Sequence, residues 1–201
     1  MQSVLGEIAG LIGGTIGIAQ SVPQIVRIRK LGHSNGLVLS PWILMYVQFS
    51  AWVGFGLKIG SPSVYATNLL TFVGAAMVVL TVKGYTPKHI LQILAAASAA
   101  CLFVIYGPGL IVDWTLIVLT GSRLPQLIKT WINRDNAAVT AVSVSALVIA
   151  LVSMSFWMIY GFLNQNSLVI ATTTVAMSIT LATALIESHI ATKAKSIVVV
   201  E

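Results

Sequence analysis

Long apolar runs dominate the pattern of hydrophobic and polar positions along this chain. A helix that crosses the hydrocarbon core of a bilayer needs about 20 mostly apolar residues. Seven runs meet that requirement, and they cover residues 5–27, 41–59, 63–82, 89–107, 109–130, 143–163 and 167–187. Short segments that carry glycine, proline, asparagine or charge separate them. The pattern therefore predicts an all-α membrane protein with seven transmembrane helices and a short tail after Glu187.

Composition supports this assignment and changes the meaning of the net charge. Hydrophobic residues make up 57% of the chain and charged residues only 8%, with a mean hydropathy of +0.96. A soluble domain carries about 25% charged residues. The net charge of +6 is spread over the ends of the apolar runs, as in the loops of a membrane protein. We expect a lipid bilayer around the chain and no nucleic-acid partner.

The distribution of lysine and arginine predicts the orientation. Cytoplasmic loops of membrane proteins are enriched in these two residues. With the N-terminus outside, the outer side receives only Lys58. The inner side receives Arg27, Arg29, Lys30, Lys83, Lys88, Lys129, Arg134, Lys193 and Lys195. We therefore predict seven spans with the N-terminus out and the C-terminus in.

A proline motif occurs twice inside the apolar runs. Ser21-Val22-Pro23-Gln24 in the first run returns as Arg123-Leu124-Pro125-Gln126 in the fifth. A proline within a helix removes one hydrogen bond and clashes with the carbonyl four residues earlier. In a bilayer the freed carbonyl needs protein or trapped water, so such a kink usually borders a cavity or a neighbouring helix. The sequence predicts two kinked helices and a duplicated unit around a shared centre.

The repeat continues beyond the two prolines. The two units align with an offset of 102 residues up to the inner loop of the second unit, which contains a three-residue insertion. After that insertion Trp52 aligns with Trp157 and Asn68 aligns with Thr173. Three helices per unit is an odd number, so equal orientation of the two units requires one intervening span. The predicted organisation is a first three-helix unit at 1–83, a linker helix at 84–108, a second unit at 109–190 and a cytoplasmic tail at 191–201. Parallel repeats of this kind are a known transporter plan, with substrate bound near the midplane.

Taken in order, these motifs resemble the PQ-loop family, and within it the SWEET and SemiSWEET sugar transporters. The resemblance covers nearly the whole chain. It rests on Pro-Gln before a basic loop, Ser40-Pro41 at the second helix, Trp-x-x-aromatic-Gly in both units and an asparagine in the third helix. It implies a facilitative transporter in a plasma membrane. Such a protein moves a mono- or disaccharide by alternating access between two three-helix bundles.

The resemblance also implies which residues bind the solute. Trp52, Asn68 and Trp157 match positions that line a central pocket, and Thr173 occupies the place of the second asparagine. Indole rings stack on the apolar faces of sugars, and threonine offers one donor where an amide offers two. Interfacial anchoring of the tryptophans and helix–helix bonding by Asn68 are the alternatives. Lesser candidates for the same pocket are Gln20, Gln48, Ser50 and Thr71.

Hinge and gate positions follow from the same resemblance. The flexing prolines match Pro23, Pro41 and Pro125, while Ala146 stands at the fourth proline position. Gln24 and Gln126 belong to the same candidate gate at the inner mouth.

Arg123, which stands where the first unit has Ser21, leaves two interpretations open. It extends its side chain to the inner headgroups, or it faces the inner vestibule. In the vestibule it would pair with a freed carbonyl or bind an anionic solute. The second interpretation favours an amino-acid or organic-anion transporter over a sugar transporter.

Other classes of function receive less support from the residues. No nucleophile–base pair and no metal-ligand spacing occurs in the apolar runs, so we expect no enzyme, metal or cofactor. No acid lies at mid-membrane depth, which favours uniport over proton coupling. A non-transporting membrane receptor remains an alternative. Glu7 is interpreted as a solvated acid at a helix start, and the small-residue face Gly10, Gly13, Gly14 and Gly17 as close helix packing or a homo-oligomer interface.

Overall fold

The computed structural model describes residues 2–19, 21–31, 37–135 and 142–193, together with the backbone of the last helix up to Val200. This part of the chain is helical and contains no strand. The helices are α1 Val4–Ala19, α2 Ser21–Leu31, α3 Leu39–Ile59, α4 Pro62–Lys83, α5 Pro87–Tyr106, α6 Gly109–Thr120, α7 Leu124–Ile132, α8 Val144–Leu163 and α9 Ser167–Val200. A 3₁₀ turn at Gly121–Arg123 joins α6 to α7.

Six helical segments of the described chain are long and apolar enough to cross a membrane. They are α1 continued by α2, then α3, α4, α5, α8 and α9. The remaining run, 109–130, is divided into α6, the 3₁₀ turn and α7, so neither of its helices reaches the length of a span alone. The protein is a multi-pass, all-helical membrane protein.

The second proline motif interrupts its helical run. A 3₁₀ turn at Gly121–Arg123 precedes α7, and Pro125 lies in the first turn of that helix. Proline is tolerated in a first turn because the backbone N–H there has no helical partner in any case. The predicted kink of the second motif therefore takes the form of a 3₁₀ interruption just before the proline. In the first motif Pro23 lies in α2, and residue 20, between α1 and α2, lies outside the described residues.

The C-terminal segment differs from its prediction. α9 does not end at Glu187 but continues to Val200, so the predicted tail at 191–201 begins inside this helix. No glycine or proline follows Glu187, and the alanines and lysines there favour helix. Loss of apolar character marked the end of the predicted span but not the end of the helix.

Within each repeat the third helix packs against the other two. α4 contacts α1 and α3, and α9 contacts α8 and the α6–α7 segment. The repeats also contact each other reciprocally, since α1 packs on α8 and α6 packs on α3. α5 packs mainly on α3, where Gly54 lies so close to the Cys101 backbone that a Cβ would stand 2.6 Å from its carbonyl oxygen.

The glycine face of α1 makes two of these contacts possible. A side chain at Gly14 would overlap Thr67 on α4, within the first repeat. A Cβ at Gly13 would lie 2.8 Å from Phe156 Cβ on α8, in the second repeat. The Ser153 hydroxyl also donates to the Gly13 carbonyl at 2.7 Å. These glycines serve close packing within the chain, which decides between the two interpretations of the small-residue face.

Candidate solute site between the two repeats

A cavity of about 100 Å³ lies between the two repeats. The first repeat contributes α3 and α4 to its wall, and the second contributes the end of α6, the 3₁₀ turn, α8 and α9. Its lining is Gln48, Phe49, Trp52, Val64, Asn68, Thr120, Arg123, Met154, Trp157, Val169, Thr172, Thr173 and Ala176. The four residues predicted to bind solute, Trp52, Asn68, Trp157 and Thr173, thus meet at one cavity. Of the lesser candidates Gln48 lines it, Ser50 and Thr71 do not, and Gln20 lies outside the described residues.

The two indole rings are held in equivalent ways. Trp52 packs edge-on against Phe55 with ring centroids 5.2 Å apart. Trp157 packs in the same way against Tyr160 at 5.4 Å. Neither indole N–H donates a hydrogen bond to another described residue. The rings lie at the cavity wall and are fixed there by aromatic neighbours, which does not fit an anchor at the membrane surface.

The amide and the threonine also keep polar atoms without a protein partner. Asn68 donates to the Val64 carbonyl at 2.7 Å, but its side-chain oxygen accepts no hydrogen bond from the described residues. Thr172 and Thr174 donate back to carbonyls of their own helix at 2.8 Å. Thr173 is a buried residue, only 8% exposed, and its hydroxyl makes no such bond within the described chain. Since buried polar groups are normally paired, these atoms are available to a ligand or to water.

Arg123 lies at the boundary between this cavity and a second one. The second cavity, of about 60 Å³, is lined by Gln24, Leu37, Pro41, Trp42, Met45, Arg123, Gln126, Val142, Ser143, Ala146, Leu147, Ala150, Thr180 and Thr183. Arg123 is the one residue common to both linings, and the one charged residue among the described residues that form them. Its guanidinium makes no hydrogen bond or ion pair with the described part of the chain. The side chain therefore faces the interior of the molecule, as in the vestibule interpretation.

The glutamines of the two Pro-Gln motifs make reciprocal bonds between the repeats. Gln24 Oε1 accepts from the Ser143 backbone N–H at 3.2 Å. Gln126 Oε1 accepts from the Val38 backbone N–H at 3.1 Å. Val38 and Ser143 are the N-cap residues of α3 and α8, where N–H groups lack helical partners. Each repeat thus completes the start of the other repeat's second helix, and we refer to this pair as the glutamine bonds.

The glutamine bonds lie at the end of the molecule that carries most of the lysines and arginines, which we term the basic end. Pro41 and Ala146, which occupy equivalent positions of the two repeats, line the second cavity beside them. Pro23 and Pro125 line neither cavity. Gln126 also donates to Thr130 at 3.2 Å, and Thr130 donates to the buried Glu187 at 2.6 Å.

A second network at the opposite, N-terminal end corrects the interpretation of Glu7. Its two carboxylate oxygens accept from the Ser61 hydroxyl at 2.6 Å and from the Ser63 backbone N–H at 2.9 Å. Glu7 is therefore not a solvated acid at its own helix start but binds the N-terminus of α4. The hydroxyl of Tyr160, a fully buried side chain of the second repeat, donates to Ser61 at 3.0 Å. We call these contacts the Glu7 network.

Sequence reasoning missed Ser61 and Tyr160, although two signals were present. Glu7 is the lone acid of the first apolar run, and Tyr160 replaces Phe55 at an otherwise matching position. A phenol in place of a phenyl ring inside a membrane needs a hydrogen-bond partner. Only the packing of α1 on α8 shows which partner it finds.

The described lining offers stacking surfaces, single hydrogen-bonding groups and one cation around a partly open cavity. Such a site suits binding of a small polar molecule. No model of a known protein family matches the chain, and no curated protein matches it either.

Proposed function

We propose that this protein is a facilitative transporter that moves a small polar solute by alternating access. Residues 1–83 and 109–190 are the two three-helix bundles, and the helix within 84–108 links them. The observation that carries the proposal is the cavity between the repeats, where polar atoms of both repeats lack hydrogen-bond partners among the described residues. The positive-inside distribution places the basic end in the cytoplasm and the N-terminus outside, in a plasma membrane.

The resemblance to SWEET and SemiSWEET transporters makes a sugar the first candidate solute. Two indole rings, an amide oxygen and a threonine hydroxyl are suitable partners for a ring that has apolar faces and hydroxyl edges. A water molecule occupies about 30 Å³ of liquid, so about 100 Å³ is little space. This size favours a monosaccharide over a disaccharide, and the bundles separate further to admit either.

Two sets of contacts between repeats provide the gates. Opening towards the basic end breaks the two glutamine bonds, and opening towards the N-terminal end breaks the Tyr160–Ser61 contact of the Glu7 network. One hydrogen bond contributes about 1 kcal/mol net. Contacts of this strength stabilise the closed state of each gate but still allow it to open readily. Pro23 and Pro125 are the bending points that allow the inner ends of the first helices of the two repeats to move.

Uniport is the mode of transport that the linings favour. Neither cavity has an aspartate or glutamate among its described lining residues. Proton-driven carriers rely on intramembrane ionisable groups of that kind. We expect flux that follows the solute gradient and needs no pH gradient.

Uptake into proteoliposomes tests the proposal directly. A panel of labelled monosaccharides, disaccharides, amino acids and small organic acids is offered to the purified protein, and the initial rates are measured. We expect saturable uptake of at least one class, reduced at least tenfold by Trp52→Ala and by Trp157→Ala. Trp114→Ala is the matched control, because that side chain is 61% exposed and lines neither cavity. A folded, inserted protein that moves no panel member contradicts transport and favours the receptor alternative.

A second candidate function, transport of an organic anion, is favoured by one specific observation. Arg123 brings to the cavity a cation that has no ion-pair partner in the described part of the chain.

A further inference from the structure

The two repeats differ in charge at Arg123, which lines the candidate site. Its counterpart in the first repeat is Ser21, a small, buried residue. A guanidinium stays charged in proteins and offers five N–H donors in a planar fork. The second repeat therefore brings a permanent cation to the junction of the two cavities, whereas Ser21 of the first repeat lines neither cavity.

The neighbouring polar groups do not neutralise this cation. Gln48 donates to Thr120 at 3.3 Å and accepts from Ser122 at 3.4 Å. Thr120 in turn donates to the Leu116 carbonyl at 2.9 Å. These side chains satisfy one another across the repeat interface. None of them is within hydrogen-bonding distance of the guanidinium.

Other basic residues of the described chain behave differently. Arg134 stacks on Trp131 at 4.3 Å and lies 3.8 Å from Asp135. Lys58 donates to the Val104 carbonyl at 3.3 Å. A charge inside a membrane protein without a partner is costly. Arg123 has no such partner among the described residues, and a ligand that supplies an anion at the cavity wall would offset this cost.

The cavity also limits what that anion carries with it. A carboxylate accepts two parallel bonds from a guanidinium, a geometry that lysine cannot provide. Asn68 and Thr173 can bond a hydroxyl, whereas the absence of an acid from the described lining leaves an ammonium group without a counter-charge. The volume of about 100 Å³ favours a small solute.

We propose that the transported solute is a small hydroxylated carboxylate, whose carboxyl group binds the Arg123 guanidinium while its hydroxyl faces Asn68 and Thr173. This inference rests on the proposed transport function and names its substrate class. The carboxylate lies towards the basic end and the rest of the solute lies between the two indole rings. Uniport of such a solute carries one negative charge per cycle.

The test compares solutes and Arg123 variants in proteoliposomes that contain the whole chain. The probes are labelled lactate, glycerate, alanine, inorganic phosphate and glucose. We expect saturable uptake of lactate or glycerate at least tenfold faster than that of alanine, phosphate or glucose. A potential that is positive inside, set with potassium and valinomycin, accelerates the uptake of the carboxylate several-fold.

Arg123→Gln and Arg123→Ser, the second of which restores the residue of the first repeat, reduce carboxylate uptake at least tenfold. Arg123→Lys keeps the charge but loses the paired bonds, and it retains an intermediate rate. Arg134→Gln is the control and leaves the rate unchanged. Because the wild-type guanidinium is unpaired among the described residues, Arg123→Gln also melts at the same or a higher temperature than wild type. A lower melting temperature shows a structural partner and overturns the inference.

Failure of this inference is distinguishable from failure of the transport function. Uptake of glucose or alanine that Trp52→Ala abolishes and Arg123→Gln preserves overturns the carboxylate but keeps the transporter. Preferred uptake of phosphate keeps the anion site and overturns its assignment to a carboxylate. Absence of flux for every probe, with a folded protein, overturns both.

Discussion

The first and second repeats share a frame and differ in the side chains that line it. Both carry a Pro-Gln pair in their first segment, both place a tryptophan at the cavity, and each glutamine bonds the backbone of the opposite repeat. They differ at Ser21 against Arg123, Asn68 against Thr173 and Phe55 against Tyr160. The shared contacts use backbone groups, which every sequence supplies. The differences lie at side chains that line the cavity or bond across the repeats, so the two repeats keep the same frame but differ in the chemistry they bring to the candidate site.

The largest expected effect comes from replacing glycines of α1 by a larger residue. One substitution disturbs a contact within the first repeat, and the other disturbs a contact between the repeats. Gly14→Leu pushes into Thr67 of the same repeat, and Gly13→Leu pushes into α8 of the other. Overpacking costs about 1–3 kcal/mol, and backbone contact raises this here. We expect both variants to lower the melting temperature in detergent by about 5–10 °C or to fail to fold.

Gly109→Ala is the control, since a Cβ there meets nothing within 4 Å. If the Gly13 variant folds as stably as wild type, then α1 does not pack on α8 as described.

Substitution of each glutamine in turn tests whether the two glutamine bonds contribute equally to the proposed gate at the basic end. Gln24→Ala and Gln126→Ala each remove a bond worth about 1 kcal/mol, so each shifts the closed-to-open equilibrium about fivefold. The reporter is Ala150→Cys, in the wall of the second cavity, introduced after Cys101→Ser has removed the native thiol.

We expect both glutamine variants to raise the labelling rate of the reporter by similar factors. Gln165→Ala, which lies at the other end of the molecule, leaves it unchanged. A rise with only one variant shows that the pseudo-symmetry of the gate is not functional.

Tyr160→Phe makes the second repeat like the first at the N-terminal end. Loss of the hydroxyl removes one bond to Ser61, and we expect unfolding to become easier by about 0.5–1.5 kcal/mol. The reverse change, Phe55→Tyr, buries a hydroxyl without an evident partner and is expected to destabilise by a similar amount or more. Thermal unfolding of both variants in the same detergent provides the measurement, and equal stability of Tyr160→Phe and wild type argues against the Glu7 network.

The smallest expected effect concerns solute selection at the third helices. Thr173→Asn gives both repeats an amide, and Asn68→Thr gives both a hydroxyl. Each exchange alters about one hydrogen bond to the solute, so we expect a change in KM of about three- to tenfold with little change in stability. Thr174→Asn, one residue along α9 and exposed, is the control. An unchanged KM in both exchanges removes these residues from the solute site.

Much of this arrangement follows from local patterns in the sequence. Hydropathy determines that the chain enters a membrane, and the repeat offset pairs Trp52 with Trp157 and Asn68 with Thr173. Pro125 marks the interruption between α6 and α7, because the effect of a proline on a helix reaches only about one turn. The predicted end of α9 was wrong because hydropathy indicates where a helix leaves the bilayer and not where the helix itself ends.

Only the tertiary structure decided which groups meet. The bond of Gln24 to Ser143 joins residues 119 apart, and that of Ser61 to Glu7 joins residues 54 apart. Neither local sequence identifies the partner, because a helix N-terminus or a hydroxyl can form a hydrogen bond with many different groups. The sequence left Arg123 between headgroups and vestibule for the same reason. Its position depends on how two repeats pack, and that packing left its charge facing the space between them.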